Sequence, residues 1–332
     1  MRYLVTGGLG FIGSNLVRHL LTEHSDASIV NVDAGKYGSN PANLTGVDRE
    51  RYSFVSGDIA DAKLMTRLVA DADRIVNLAA ETHVDRSISD SSPFLASNTN
   101  GVVTVLEALR KAGTNARLTH VSTDEVYGDI EEGSFTEESG LRPSSPYAAS
   151  KAAGDMFVLA YARTYGLEAM LTRCTNNYGP YQFPEKLIPK TIIRASMGKR
   201  IPVYGTGENV RDWIHVADHC SAIDAVLEGG RRGGIYNAAG GEERTNIEVV
   251  RTILRLVGRG DELIEFVEDR PGHDVRYSLD ASHLKAELGW EPRHDFAGGL
   301  EETVEWYLKS EPWWRPLVDD RVLHPTPWKL VW

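Results

Sequence analysis

Thr6-Gly7-Gly8-Leu9-Gly10-Phe11-Ile12-Gly13 is the stretch on which the reading of this chain turns. The apolar run Arg2–Thr6 leads into it as a strand, and Phe11–Leu21 leaves it with helical spacing. Its glycines recur as Gly7-x-x-Gly10-x-x-Gly13. Glycine at such a turn permits the sharp reversal, the close approach of a pyrophosphate and tight helix–strand packing. Phe11, Ile12 and Gly13 open the helix, whose free N–H groups and positive dipole end favour phosphate. A glycine triplet alone is a weak sign, because a ligand-free βα turn uses the same residues. Here Asp33 closes the next strand, Ser28–Asp33, about 20 residues further on, where a carboxylate can accept from both ribose hydroxyls. That favours NAD over NADP, although Lys36 close by pulls the other way.

Outward from this unit, apolar runs at Tyr52–Ser56, Arg74–Ala79, Arg117–Ser122 and Ala169–Arg173 alternate with helical patterns. The helices are Lys63–Val69, Asn98–Lys111 and Pro146–Tyr165, and a polar loop follows Ala79. Strands separated by helices predict an α/β fold with a doubly wound parallel (Rossmann) sheet. Asp58 and Ile59, after the third strand, are placed to meet an adenine edge, or Asp58 caps the next helix. Residues 177–212 are rich in Pro, Gly and Tyr. A helix at Val216–Glu228 and a strand at Gly234–Ala238 follow, then further short elements. We expect an NAD-binding domain over 1–176 to which 213–240 return. Residues 177–212 and 241–332 then form a smaller α/β lobe with a tail. The tail carries Trp313, Trp314, Trp328 and Trp332 among prolines. These aromatics pack it onto the body, or else it lids the site or makes an oligomer contact.

The composition bounds the rest. The chain has 332 residues, 42% hydrophobic and 25% charged, which excludes wholesale disorder. A net charge of −11 without a basic stretch argues against nucleic-acid binding. Cys174 and Cys220 are far apart and form no CxxC pair, which suits a reducing cytoplasm and no metal site. No signal-type run and no stretch of about 18 apolar residues occurs, so no membrane association is expected.

Tyr147 and Lys151 form Tyr-x-x-x-Lys, with Ser145 able to cap the helix and Pro146 suited to its first position. Residues four apart share a helix face. A lysine ammonium there, with a positive nicotinamide ring, would lower the phenol from its usual ~10 and make it a base for a hydroxyl proton. Thr123 ends the fifth strand and can share the substrate's hydrogen bond. Asp124 and Glu125 follow directly. In isolation two such acids are most often solvated charges. At the carboxyl end of a parallel strand, beside Tyr147, they sit where such sheets bind ligands. A protonated acid beside an ionised one is what a β-elimination needs.

With these motifs the chain resembles the extended short-chain dehydrogenase/reductase family acting on nucleotide sugars. The Thr123-Asp124-Glu125 run narrows this to the dTDP-glucose 4,6-dehydratase family. So do Ala79-Ala80-Glu81-Thr82-His83-Val84-Asp85-Arg86-Ser87, Asn176-Asn177-Tyr178-Gly179-Pro180, Glu185-Lys186-Leu187-Ile188-Pro189 and Arg270-Pro271-Gly272-His273-Asp274. Thr82 stands where that family usually has serine. The resemblance implies NAD as cofactor and dTDP-glucose as substrate. It implies C4 oxidation through Tyr147, elimination with Glu125 as base and Asp124 as acid, and reduction at C6. It further implies that Leu78, Ala79, Ala80, Ser97, Asn98 and Asn177 approach the cofactor. Thr82, Asn176, Lys186, Leu187, Pro202, Tyr204, Arg211, Asn246, Arg270 and His273 would line the nucleotide-sugar pocket, with Tyr204 stacking on the base. A homodimer joined by a four-helix bundle from Asn98–Lys111 and Pro146–Tyr165 is expected, because Val102, Val103, Val105, Leu106, Met156, Phe157 and Leu159 make these helices apolar on more than one face. The alternatives are another NAD-dependent epimerase, decarboxylase or dehydratase for UDP- or GDP-sugars, or a cofactor-binding sensor without catalysis. The acid pair opposes an epimerase, and intact Thr123, Tyr147 and Lys151 oppose a sensor.

Overall fold

The computed structural model describes residues 1–330; Trp332, one of the tail aromatics, lies outside them. The chain runs β1 (Arg2–Thr6), α1 (Phe11–Glu23), β2 (Ser28–Asp33), β3 (Tyr52–Ser56), α2 (Ala62–Ala70) and β4 (Arg74–Asn77). It continues through α3 (Val84–Ser89), α4 (Ser92–Phe94), α5 (Val102–Ala112), β5 (Arg117–Thr123), α6 (Pro146–Tyr165) and β6 (Ala169–Cys174). Next come β7 (Asn176–Tyr178), α7 (Leu187–Ser196), β8 (Ile201–Tyr204), β9 (Val210–His215), α8 (Val216–Gly229) and β10 (Ile235–Ala238). The last elements are β11 (Glu243–Thr245), α9 (Asn246–Val257), β12 (Ile264–Val267), α10 (Ser282–Leu288), α11 (Phe296–Lys309) and α12 (Glu311–Trp314).

Seven strands form one parallel sheet in the order β10-β6-β5-β4-β1-β2-β3. β1 points alternate side chains to opposite faces, and both faces are buried. Tyr3 and Val5 join Leu16, Leu20, Ile223 and Leu227 of α1 and α8 on one side. Leu4 joins Met65, Val105, Leu106 and Val158 of α2, α5 and α6 on the other. The chain order reverses between β1 and β4, which opens a crevice at the carboxyl ends of those strands. After β6 the chain leaves for β7–β9, returns through α8 to lay β10 beside β6, and leaves again. The smaller lobe has its own apolar centre, including Ile188, Ile192, Val249, Ile253, Leu300 and Val304 of α7, α9 and α11. Two short sheets, β11-β9-β7 and β12-β8, edge it.

Four details depart from the sequence reading. The polar loop after Ala79 contains the helix α3. The helix expected from Asn98 starts at Ser92 and passes through a π-helical segment, Leu95–Gly101, before α5. Residues 177–212, for which the sequence reading named no elements, hold α7 and the strands β8 and β9. Asp58 does not cap α2: Asp61 does, accepting from the N–H groups of Lys63 and Leu64. Asp58 instead accepts from Ala60 N at 2.9 Å and pairs with Lys36 at 2.8 Å.

Candidate active site

The helix α6 is built from its cap inward. Ser145 Oγ accepts from Ala148 N at 3.1 Å, and Pro146 needs no acceptor for its nitrogen. Tyr147 therefore sits in the first turn and Lys151 in the second. Lys151 Nζ is buried and donates to Val121 O on β5 at 2.7 Å, which pins α6 to the strand carrying Thr123. Asp155, one turn on, is wholly buried against Arg173 Nε at 2.9 Å, with His120 Nε2 at 3.7 Å. Asn77 links His120 to Thr6, so a hydrogen-bonded polar rung crosses three strands, β5, β4 and β1.

β5 ends at Thr123, and the chain winds into a 3₁₀ turn, Asp124–Val126, capped by the Thr123 hydroxyl. The same hydroxyl donates to Asp124 Oδ1 at 3.1 Å, while Asp124 Oδ2 is buried without a partner. Burial first, then the neighbouring Glu125, raises the Asp124 carboxyl to about 8. Burial also raises Glu125, but Arg270, Lys186 and Arg211 oppose it by favouring the ionised form. Burial thus raises both carboxyls, but three cations act against it at Glu125, whereas at Asp124 the neighbouring Glu125 adds to it, so the two environments differ.

Tyr147 departs from expectation. Its phenol is pushed well above its usual value, by burial first and then by Glu125, Cys174 and Asp124; only its hydrogen bond to Thr123 works the other way. Lys151 is not among the main charges acting on it. Its ammonium is engaged by Val121 O, and burial lowers its own pKa.

In front of these groups lies a cleft with about 1050 Å³ of empty space, counting its open mouth. Glu125 and Tyr147 reach it from the sheet side. All the residues expected to contact the nucleotide sugar line it: Thr82, Asn176, Lys186, Leu187, Pro202, Tyr204, Arg211, Asn246, Arg270 and His273. Arg270 is fixed by Asp85 at 2.9 Å, and Arg211 lies over the Tyr277 ring at 4.4 Å. His273 is lowered to about 4 by burial and by Arg270 and Arg211, so it is neutral at pH 7. The sequence reading missed His83, Asp85, Glu185, Lys190, Trp213 and Tyr277, which also line the cleft. His83 holds φ of 83°, a strained value for a non-glycine residue, and burial keeps its ring neutral. His83, Asp85 and Glu185 stood inside the quoted motifs, but their spacing carries no role. Trp213 and Tyr277 had no signal at all.

On the cofactor side, Gly7 has φ of 73°, and a Cβ there would lie 2.8 Å from Ala79 Cα. A Cβ on Gly13 would lie 2.3 Å from Gly7 O. The β1 turn and the Leu78-Ala79-Ala80 loop thus touch backbone to backbone. Gly10 caps α1 with no side chain, leaving the first-turn N–H groups of Phe11, Ile12 and Gly13 facing the crevice mouth. Asp33 is buried and braces this loop, accepting from Leu9 N at 3.0 Å and Gly35 N at 2.8 Å. This cradle fits a dinucleotide pyrophosphate. Ser97 is buried in the π-helical segment. Asn98 is engaged by Glu81 N, Glu81 O and Ser150 Oγ, so it holds the loop before Thr82 rather than offering a free amide. Asn177 donates to Thr175 O and meets His219. Ile59 packs in the core beside Gly101.

A family model described as GDP-mannose 4,6 dehydratase matches residues 4–303. The chain belongs to that family. Within it, a dTDP-glucose 4,6-dehydratase of Streptomyces niveus is 51% identical over 322 residues, 96% of each chain. The low-salt glycan biosynthesis protein Agl12 of Haloferax volcanii is 52% identical over 94% of this chain and 100% of its own length. Among solved structures, DesIV, a dTDP-glucose 4,6-dehydratase of Streptomyces venezuelae with NAD and TYD bound, superposes with a TM-score of 0.94. It is 50% identical and covers 96% of this chain and 100% of its own. The fold is shared more widely: a UDP-glucose 4-epimerase of Thermotoga maritima, 28% identical, covers 93% of this chain and 99% of its own with a TM-score of 0.86. The membership expected from the Thr-Asp-Glu run is thereby met, down to relatives that are dTDP-glucose 4,6-dehydratases. Among the described residues, no helix is long and apolar enough to cross a membrane.

Proposed function

We propose that this chain is an NAD-dependent hydro-lyase that converts dTDP-glucose into dTDP-4-keto-6-deoxyglucose and water. The observation that carries this is the acid pair at the end of β5. Asp124 is held protonated near neutral pH, and Glu125 faces the cleft among three cations. The epimerase reading has no use for such a pair, and the fold alone does not separate the two.

Bound in the glycine cradle, NAD would supply the hydride acceptor for C4 and donor for C6, and its positive ring would favour the Tyr147 phenolate. Tyr147, held by Thr123, takes the proton of the 4-hydroxyl. The resulting ketone acidifies the C5 hydrogen. Glu125 removes that proton while Asp124 donates one to the departing 6-hydroxyl, and water forms. Glu125 then returns its proton to C5, Tyr147 releases the 4-hydroxyl proton to solvent, and Asp124 takes one up, which restores all three groups. Lys186, Arg211 and Arg270 supply the positive charge that the diphosphate requires, and Tyr204 offers a ring to the base.

The two further readings are of assembly and place. Met156 and Phe157 stand 46% and 41% exposed on α6, and Leu95 stands 55% exposed before α5. This outward apolar face supports a homodimer closed by α5 and α6 of both copies. Both cysteines are free and buried, which suits the cytoplasm. The test of function is incubation with dTDP-glucose, UDP-glucose and GDP-mannose, reading the alkali-induced absorbance of a 4-keto-6-deoxy product. We expect product from dTDP-glucose without net consumption of added NAD. A 4-epimer, or steady accumulation of NADH, would refute the assignment.

A further inference from the structure

The C-terminal tail packs on the body at several points, and one of them touches a residue of the binding site. Val322 and Leu323 are buried in the core of the smaller lobe. Beyond them the chain crosses α7, where the Leu323 and His324 carbonyls accept from Arg194 at 2.8 Å and Lys190 at 3.3 Å. It then turns through Pro327–Lys329 against α3. Ser89 Oγ donates to Leu330 O at 3.4 Å, and Lys329 pairs with Glu268, the residue after β12. Between these anchors Trp328 meets Tyr204 edge to face, with ring centroids 4.7 Å apart and planes at 83°.

Tyr204 needs such a brace. It is the last residue of β8, a strand whose only sheet partner among the described residues is β12, and the chain turns at Gly205. Its hydroxyl reaches Asp85 only at 3.5 Å, and His273 is 6.3 Å away ring to ring. Among the described residues, none of the tail lines the cleft, whereas Tyr204 does. Trp328 packs against a ring that lines the cleft, without lining the cleft itself.

We propose that Trp328 is a positioning residue that fixes the Tyr204 ring as the platform for the substrate's nucleobase, with residues 325–330 as the strap that keeps it there. This rests on the reading of the cleft as a nucleotide-sugar site. An aromatic platform held in one orientation loses less freedom on binding than a mobile one. An edge-to-face pair contributes enough to change affinity by roughly threefold to tenfold.

The test is a double-mutant cycle in the full-length protein, with dTDP as the probe in calorimetric titrations. Trp328→Ala should weaken dTDP roughly threefold to tenfold and raise KM for dTDP-glucose in step, with a smaller change in kcat. Trp328→Phe should restore most of the affinity, and the melting temperature and bound NAD should stay unchanged. In a Tyr204→Ala background, Trp328→Ala should cost nothing further. Unchanged dTDP affinity in Trp328→Ala, or an equal loss in the Tyr204→Ala background, would overturn the proposal. A wild type that binds UDP or GDP in place of dTDP overturns the nucleotide assignment instead. The same cycle run with that nucleotide then still decides the role of Trp328.

Discussion

Asp124 should set an upper pH limit on turnover. Its carboxyl is raised to about 8, and it must carry a proton when the 6-hydroxyl leaves. The sign follows: the competent form is complete well below that value and is lost as pH rises through it. One unit above a pKa only about one group in eleven remains protonated, so kcat near pH 9 should be roughly tenfold below its plateau. Lys190 is lowered to about 8 and titrates in the same range, by burial. It lines the substrate cleft and is not among the main charges that act on Asp124 or Glu125, so its loss is read in KM rather than in kcat. The assay is initial rates of 4-keto product at saturating dTDP-glucose, across a pH series at constant ionic strength. Asp124→Asn provides the control. It should lose about 10²–10⁴-fold in kcat, and its residual rate should lack the alkaline limb. Reduced nicotinamide should build up on that variant, because C4 oxidation precedes the blocked step. A kcat that stays flat through pH 9, or an alkaline limb that survives in Asp124→Asn, would refute the role given to this carboxyl.

The same substitution should stabilise the fold. Unfolded Asp124 ionises near 4 and folded Asp124 near 8, so its stabilising contribution declines as pH rises through that window. At pH 7, Asp124→Asn should add on the order of 1–4 kcal/mol in urea denaturation. Gly10→Ala should keep its melting temperature and lose NAD, since its Cβ would meet only Gly7 O, at 3.3 Å, and would otherwise project to where phosphate binds. Gly13→Ala should lower the melting temperature outright. Asp155→Asn should cost about 3–5 kcal/mol, by leaving Arg173 charged and unpaired in the interior. Met156→Glu combined with Phe157→Glu should give a monomer by light scattering, without loss of bound NAD.

The βαβ half of the molecule was legible because its signals are local. Arg2–Thr6, Ser28–Asp33, Tyr52–Ser56 and Pro146–Tyr165 fall where the apolar runs and the Ser145-Pro146 cap put them. α7 was not legible. Pro189 in its first turn and the preceding Pro and Tyr residues read as loop, while Ile188, Ile192 and Ile193 are buried by contacts with the distant α9 and α11. β8 and β9 are stabilised by partners far along the chain, β12 and β11, so no local period marks them. The chemistry-bearing residues of the cleft were largely legible as motifs. Their electrostatics were not: the spacing of Tyr147 and Lys151 shows a shared helix face, but it does not show that Val121 O engages the ammonium or that two carboxylates crowd the phenol.

The late return of β10 to the edge of the large sheet has a consequence for how the protein is made. As the chain emerges from the ribosome, β6 is complete about 60 residues before its outer neighbour. Throughout that interval β6 presents an unpaired row of N–H and C=O groups, the kind of edge that captures a second chain. The segment synthesised meanwhile, β7 through α8, includes α8, whose Cys220, Ile223 and Leu227 cover one sheet face before β10 arrives. Neither lobe is then a unit that can be cut free. A truncation at residue 176 would leave a six-stranded sheet with a bare edge and a face covered by α1 without α8, prone to pair with its own copies.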